Sequence, residues 1–342
     1  MSNSTSDYAS LRSADRINLS GAVPLPAPLA IYLETTNICN FKCIFCPESF
    51  ENFEEQSGGL FRLSEDNFTH ALDEISSFGS IQTLNLYMMG EPFANRNLLS
   101  FIKQAKQAHI AKRVIVTSNG SLLKPKIYEE LCKSGLDYLR ISIYGADEDL
   151  HRRNTGSPIK LEQIKTNIAG LKAFRDQHGF KTPFIYAKMI ESEVSAHNDT
   201  FLKNFSGISD QAMIEPVMNW NDPDEGMLAQ IDREQLEKRP NFAKKKECCP
   251  FPFYTLVIHS DLRVSVCCVD WDKKTVVGDL KTQTLKEIWN GEALRDFQLK
   301  HLQRRRKEIE ACTNCTFLHT APDNMDDLSP DVFMQRSEKQ KS

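Results

Sequence analysis

The 342-residue sequence contains no apolar run approaching the roughly 18 residues that span a bilayer. Nor does it open with a basic stretch followed by an apolar core, so no secretory signal is expected. Its first 29 residues are polar and then Pro-rich ("GAVPLPAP") and read as a flexible segment. Charge of one sign is also lacking. With 42 basic against 46 acidic residues the balance is −4, too small for a field that would gather nucleic acid or anionic lipid. Runs such as Lys244-Lys245-Lys246 and Arg304-Arg305-Arg306 read as solvated faces. There is no internal repeat and no low-complexity tract. What remains is an ordinary globular composition, 40% hydrophobic, long enough to divide a core between two domains. The expected location is the cytoplasm.

Cysteine is not scarce. In a reducing compartment ten cysteines are expected to be metal ligands or catalytic groups rather than a disulfide framework. Seven fall into patterned positions, and Cys132, Cys248 and Cys268 are left over as small buried hydrophobes.

Strand-like runs alternate with helix-like segments from residue 30 to about 218. The strand candidates are 29–36, 81–89, 113–119, 138–144, 183–190 and 212–218, each β-branched or aromatic and bounded by turn residues. Between them Phe68, Leu72 and Ile75, then Leu98, Ile102 and Ala105, then Leu161, Ile164, Ile168 and Leu171 recur at helical spacing. Six βα units in series predict a parallel sheet with crossover helices, whose strand-end loops collect the chemistry at one end. Residues 226–247 read as a polar linker. "FYTLVIHSDLRVSVCCVD" then predicts a hairpin turning at Ser260-Asp261, followed by one helical segment carrying Leu285, Ile288, Trp289, Leu294 and Phe297. Residues 320–342 read as a loose tail.

Directly after the first strand, "ETTNICNFKCIFCPESF" places Cys39, Cys43 and Cys46 in a C-x3-C-x2-C loop. Structural zinc sites and iron–sulfur cubanes are usually closed by four ligands, so three thiols leave one metal corner open for a substrate or cofactor. A zinc site completed by a distant ligand is the plainer alternative. Downstream, Cys249, Cys267, Cys312 and Cys315 could close one tetrahedral thiolate site, and spacing alone suits zinc and iron–sulfur equally.

C-x3-C-x-aromatic-C after the first strand of a βα repeat resembles the radical S-adenosylmethionine superfamily. "MMGEP", "TSNGSLL" and "RISIYGADEDLHRRNTG" resemble its successive strand-end elements, with Met89 where the first glycine of "GGEP" would stand. The segment "CPFPFYTLVIHSDLRVSVCC" with "GDL", "LKEIWNG", "LRDF" and "CTNC" resembles the SPASM/Twitch extension of that superfamily. There Leu262 replaces a usual glycine, and the absence of cysteine after Cys315 matches the shorter Twitch form.

The resemblance implies a partial (β/α)6 TIM-like barrel over 30–225 with a Twitch/SPASM domain over 248–319. It implies a 4Fe-4S cluster on Cys39, Cys43 and Cys46 whose open iron is chelated by S-adenosylmethionine. Phe45 would lie against the adenine, and Gly90, Glu91, Pro92, Asn119, Ser142 and Arg153 (or its neighbour Arg152) would serve the cofactor. A second 4Fe-4S cluster would be held by Cys249, Cys267, Cys312 and Cys315, with Cys248 or Cys268 as possible one-residue replacements. A flavodoxin- or ferredoxin-type reductant is the implied protein partner, with no nucleic acid and no membrane.

A fully ligated second cluster has no site for substrate and suits electron transfer. The cluster layout resembles that of radical dehydrogenases of aminoglycoside biosynthesis, so the expected reaction is oxidation of a hydroxyl-bearing carbon in a sugar or aminocyclitol. A peptide-modifying maturase is the first alternative, although only about 29 residues precede the first strand, too few for a leader-gripping module. A redox-neutral sugar epimerase or decarboxylase is another, and a zinc-stabilised binding protein a third. Tyr87, Tyr144, Glu215, Asn219, Asp270 and Asp272 are candidate proton acceptors, none of them assigned.

Overall fold

The computed structural model describes residues 17–216, 246–321 and 323–340. Most of the expected linker, Asn219 and the end of the sixth strand run lie outside the described residues.

Among the described residues nine strands form one sheet: β1 (Ala30–Leu33), β2 (Ile81–Asn85), β3 (Ala111–Ser118), β4 (Tyr138–Ile143), β5 (Phe184–Ile190), β6 (Gln211–Glu215), β7 (Thr255–Ile258), β8 (Arg263–Ser265) and β9 (Val276–Asp279). Their order is β6-β5-β4-β3-β2-β1-β7-β8-β9. The first six are parallel neighbours in sequence order, as serial βα crossovers dictate. The helices are α1 (Leu19–Ala22), α2 (Phe53–Gln56), α3 (Glu65–Ser76), α4 (Leu98–Gln107), α5 (Pro125–Lys133), α6 (Glu148–Thr155), α7 (Leu161–Gln177), α8 (Ser195–Phe205), α9 (Leu285–Asn290), α10 (Glu292–Leu302) and α11 (Pro330–Lys339).

The apolar spacing works as expected in the crossovers. Ser64 caps α3 by accepting the Asn67 N–H, and Phe68, Leu72 and Ile75 are buried. On α4 the buried face is Leu98, Phe101, Ile102 and Ala105, and Phe101 stacks on Phe68 with centroids 4.0 Å apart.

The hairpin is not a body of its own. β7 pairs in parallel with β1 over Ala30↔Thr255 to Leu33↔Ile258, and β8 and β9 continue the sheet antiparallel. Leu262, in the turn, adopts φ +73°, the left-handed conformation that glycine takes without cost. Its side chain is buried in the main core, which offsets that strain.

Three segments differ from expectation. The single helical run after β9 is two helices, because Gly291 is extended and a Cβ there would approach the Glu287 carbonyl at 2.8 Å. The expected loose tail contains α11, started by Ser329 accepting the Asp331 N–H and by Pro330 at its first turn. Phe333 on α11 is fully buried against Phe253, a burial worth about 1.5–3 kcal/mol. The expected flexible N-terminal segment is packed from Leu19 on. Leu19 and Val23 are buried, Arg336 donates to the Ser20 and Val23 carbonyls at 2.8 and 3.2 Å, and Trp289 donates to Leu25 at 2.9 Å.

Candidate active site

The loop of three cysteines is clamped at both ends. Before it, Asn37 accepts the Phe61 N–H at 2.6 Å and donates to the Gly59 carbonyl at 2.8 Å. After Cys39 the loop docks on the end of α6. The Lys42 and Ile44 N–H groups donate to the Thr155 and Asn154 carbonyls, each at 2.9 Å, satisfying helix-terminal acceptors that would otherwise be orphaned. Gly156 ends that helix at φ +60°.

Cys43 is buried, and Cys39 and Cys46 are half-buried. Burial and the neighbouring Cys46 and Cys39 push the Cys43 thiol far above its ordinary range, while burial pushes Cys46 up to about 12. Three such thiols ionise together only against a cationic centre, which is the chemistry of a metal-binding set. The Phe41 N–H points at the Cys39 sulfur at 3.4 Å, a donor suited to a thiolate. Phe45 lies parallel to Tyr144, centroids 6.2 Å apart.

After β2, Gly90 takes φ +71°, and a Cβ there would meet the Thr36 carbonyl oxygen at 2.5 Å and the Ile38 nitrogen at 2.8 Å. Only glycine lets this turn lie against the cysteine loop. Glu91 is 1% exposed and accepts from Ser118 Oγ at 2.8 Å, Asn119 N at 2.7 Å and Phe93 N at 3.1 Å. Burial raises its carboxyl to about 7 despite those donors. Pro92 is buried behind it. Asn119 donates to Asn40 Oδ1 at 2.9 Å and faces the Cys39 sulfur at 3.9 Å, tying the end of β3 to the loop. Ser142 is buried on β4. Arg153 is exposed on α6, as is Arg152, which pairs with Asp149 at 3.3 Å.

Cys249, Cys267, Cys312 and Cys315 line a second cavity, walled by Phe251, Val266, Phe297, Phe317 and Leu318 among others. Cys248 and Cys268 are not among its lining residues. Cys248 lies in the main core with its N–H donating to Asp326 at 2.7 Å, and Cys268 packs with Trp271 and Phe53. Burial first, then the neighbouring thiols, holds Cys249 and Cys267 well above the ordinary thiol range. Among the described residues no three His, Cys, Asp or Glu side chains converge closely enough to hold one metal ion. Soft thiols around an apolar cavity suit a thiolate-ligated centre, zinc or iron–sulfur.

Comparison with known families accords with this geometry. Residues 33–181 match the radical SAM superfamily, and residues 248–316 match SPASM, an iron–sulfur cluster-binding domain. The chain belongs to the radical SAM superfamily. Its SPASM region carries the antiparallel strands of the sheet. The S-adenosyl-L-methionine-dependent 2-deoxy-scyllo-inosamine dehydrogenase of Niallia circulans is 20% identical over 285 residues, covering 83% of this chain and 91% of that protein. The AdoMet-dependent heme synthase of Methanosarcina barkeri is 26% identical over 240 residues, covering 66% of this chain and only 64% of that protein. Among solved structures, BtrN in complex with AdoMet and 2-DOIA superposes with a TM-score of 0.57 at 15% identity, covering 88% of this chain and 97% of that one.

In this radical SAM chain one face of the sheet carries a polar cluster. Arg140 donates to Tyr87 Oη at 3.2 Å and to both Glu215 oxygens at 3.1 and 3.2 Å. Tyr186 Oη donates to Glu215 at 2.9 Å, and Lys188 Nζ lies 3.1 Å away. Burial alone would raise Glu215, but Lys188 and Arg140 outweigh it and hold the carboxyl well below its usual range. Glu215 is therefore a fixed anion and a poor proton acceptor. Asp270 lines the SPASM cavity, but its oxygens are taken by the Lys274 and Thr275 N–H groups and the Thr275 hydroxyl.

Sequence reasoning missed three buried groups. Glu34 joins the modules by accepting Ser260 Oγ at 2.6 Å, Ser260 N at 3.0 Å and Met89 N at 3.4 Å. Glu48, two residues after Cys46, is 3% exposed, and burial raises it to about 7. His301 lines the SPASM cavity. An acid ending an apolar strand was a usable signal for Glu34. Nothing in the local pattern marks the other two.

Proposed function

We propose that this radical SAM enzyme oxidises a hydroxyl-bearing carbon of a sugar or aminocyclitol and passes an electron to an auxiliary cluster. Cys39, Cys43 and Cys46 would hold a 4Fe-4S cluster with S-adenosylmethionine at its open iron, and Cys249, Cys267, Cys312 and Cys315 a second 4Fe-4S cluster. When bound, these groups supply a 5′-deoxyadenosyl radical and a one-electron acceptor. The observation that carries the reading is the pairing on one sheet of a three-thiol loop with a separate four-thiol cavity.

The chain's own residues supply binding and enclosure. Gly90 and Glu91 hold the turn that faces the loop, and Phe45 with Tyr144 offers a flat apolar surface suited to a purine. The Tyr87, Arg140, Tyr186, Lys188 and Glu215 network presents hydroxyl, cationic and anionic groups within a few ångströms, suited to a polyhydroxylated substrate more than to an apolar one. The likeness to a dehydrogenase over 83% of this chain and 91% of that protein supports this reading.

The test is anaerobic incubation of the reconstituted, reduced enzyme with S-adenosylmethionine and a panel of cyclitols, aminocyclitols and sugars. The expected result is one ketone and one 5′-deoxyadenosine formed per substrate consumed. Product that retains its oxidation state, or turnover of peptides alone, overturns the dehydrogenase reading.

A further inference from the structure

We propose that His301 is a positioning residue for the auxiliary cluster, presenting an N–H to the Cys312 sulfur and so raising the cluster's reduction potential. This rests on the reading of the four-thiol cavity as a cluster site.

The geometry fixes which nitrogen carries the proton. The Cys249 backbone N–H points at His301 Nδ1 at 3.2 Å, and a backbone N–H can only donate, so Nδ1 must offer a lone pair. A neutral imidazole has one ring proton, which is then on Nε2. Nε2 lies 3.7 Å from Cys312 Sγ, within reach of an N–H···S hydrogen bond. One side chain thus bridges two cysteines that the sequence separates by 63 positions, ordering one through its backbone and the other through its sulfur.

The site is built rather than incidental. His301 is 1% exposed, sits in the last turn of α10 and packs on Phe297 with ring centroids 5.2 Å apart, so water does not compete for either nitrogen. Other groups near the cavity have different tasks. Arg306 donates to the carbonyl oxygens of Cys312 and Cys315 at 2.5 and 3.2 Å, not to a sulfur. Asp270 is occupied by Lys274 and Thr275.

A donor to a cluster sulfur withdraws electron density and stabilises the reduced state, in which the sulfurs are more negative. Its removal therefore lowers the potential and weakens the cluster as an acceptor.

The experiment is a redox titration of the intact, anaerobically reconstituted enzyme, followed by electron paramagnetic resonance, for the native chain, His301→Phe and His301→Gln. Iron content is measured in all three. The Cys39/Cys43/Cys46 triple alanine variant identifies which signal belongs to the auxiliary cluster. His301→Phe should shift the acceptor equilibrium at least about tenfold, a fall of roughly 59 mV for one electron. Gln keeps an amide N–H near the Nε2 position and should restore most of that shift. Equal potentials in native and Phe proteins overturn the inference while leaving the cluster site standing. An iron content showing no second cluster in the native chain overturns the site itself.

Should the Phe variant lose its auxiliary iron, the native enzyme labelled with 15N-histidine decides. A weak 15N coupling to the auxiliary signal supports a hydrogen-bonding imidazole. No coupling, or the strong coupling of a direct ligand, overturns it.

Discussion

The thiols of the loop after β1 and of the four-thiol cavity are half-buried apart from the buried Cys43, but different charges surround the two sites. Beside the first stand two buried carboxyl groups, Glu48 and Glu91, each raised by burial to about 7 and so only partly ionised near neutral pH, with Lys42 reaching Glu48 at 3.1 Å from an exposed position. Beside the second, Arg306 is hydrogen-bonded to two cysteine carbonyls, and the acid among the lining residues, Asp270, is already capped. Negative neighbours make a cluster harder to reduce, and positive neighbours or N–H donors make it easier. On the proposed reading, the second site, with its arginine and its capped acid, suits a cluster that accepts an electron.

Four sets of substitutions would break or sharpen this contrast. The largest effect is expected for Cys39→Ala, Cys43→Ala or Cys46→Ala. Each should abolish 5′-deoxyadenosine formation, and the triple variant should fall from about eight irons per chain to about four. Retained cleavage in any single variant would remove that cysteine from the ligand set. Next comes Cys312→Ala or Cys315→Ala, which should leave reductive cleavage partly intact while ketone formation stops. Chromatography of both products from one reaction reads this, and an undiminished ketone yield would take the second site out of the mechanism.

Gly90→Ala should follow. It forces an L-residue into the left-handed region against the Thr36 and Ile38 backbone, at a strain of about 1–3 kcal/mol. Calorimetry should show a lowered melting temperature together with weakened S-adenosylmethionine binding. The smallest effect is expected for Leu262→Gly in the hairpin turn. Lost burial of about 1.5–3 kcal/mol is offset by about 1–2 kcal/mol of relieved left-handed strain. A destabilisation above about 3 kcal/mol in denaturant titration would show that the leucine's packing dominates its conformation.

The parts of this fold that were legible are those set by local chemistry. β-branched runs between turn residues marked the six parallel strands, and the cysteine spacings marked two separate sites, because both signals reside in short windows. Long-range pairing was not legible. Nothing in "YTLVI" says that it will lie along Ala30–Leu33, more than 200 positions earlier. The tail shows the opposite failure. Ser329-Pro330-Asp331 is a helix start in plain view, outweighed by the polarity of the residues after it, and buried Phe333 with the Arg336 hydrogen bonds holds the helix down. His301 and Glu48 acquire meaning only through tertiary neighbours, so their roles are readable only once the elements are packed.

The β1–β7 pairing has a consequence beyond holding two cysteine sites together. A curled sheet that stops at β1 has an open side, a row of unpaired amide and carbonyl groups ready to recruit another chain. Here β7 fills that side along the whole of β1, and β8 and β9 carry the border outward to a short strand of four residues. A fragment ending before residue 246 would therefore lose more than the four-thiol site: it would expose a sticky border and aggregate, so the parallel strands depend for their solubility on the SPASM region that borders them.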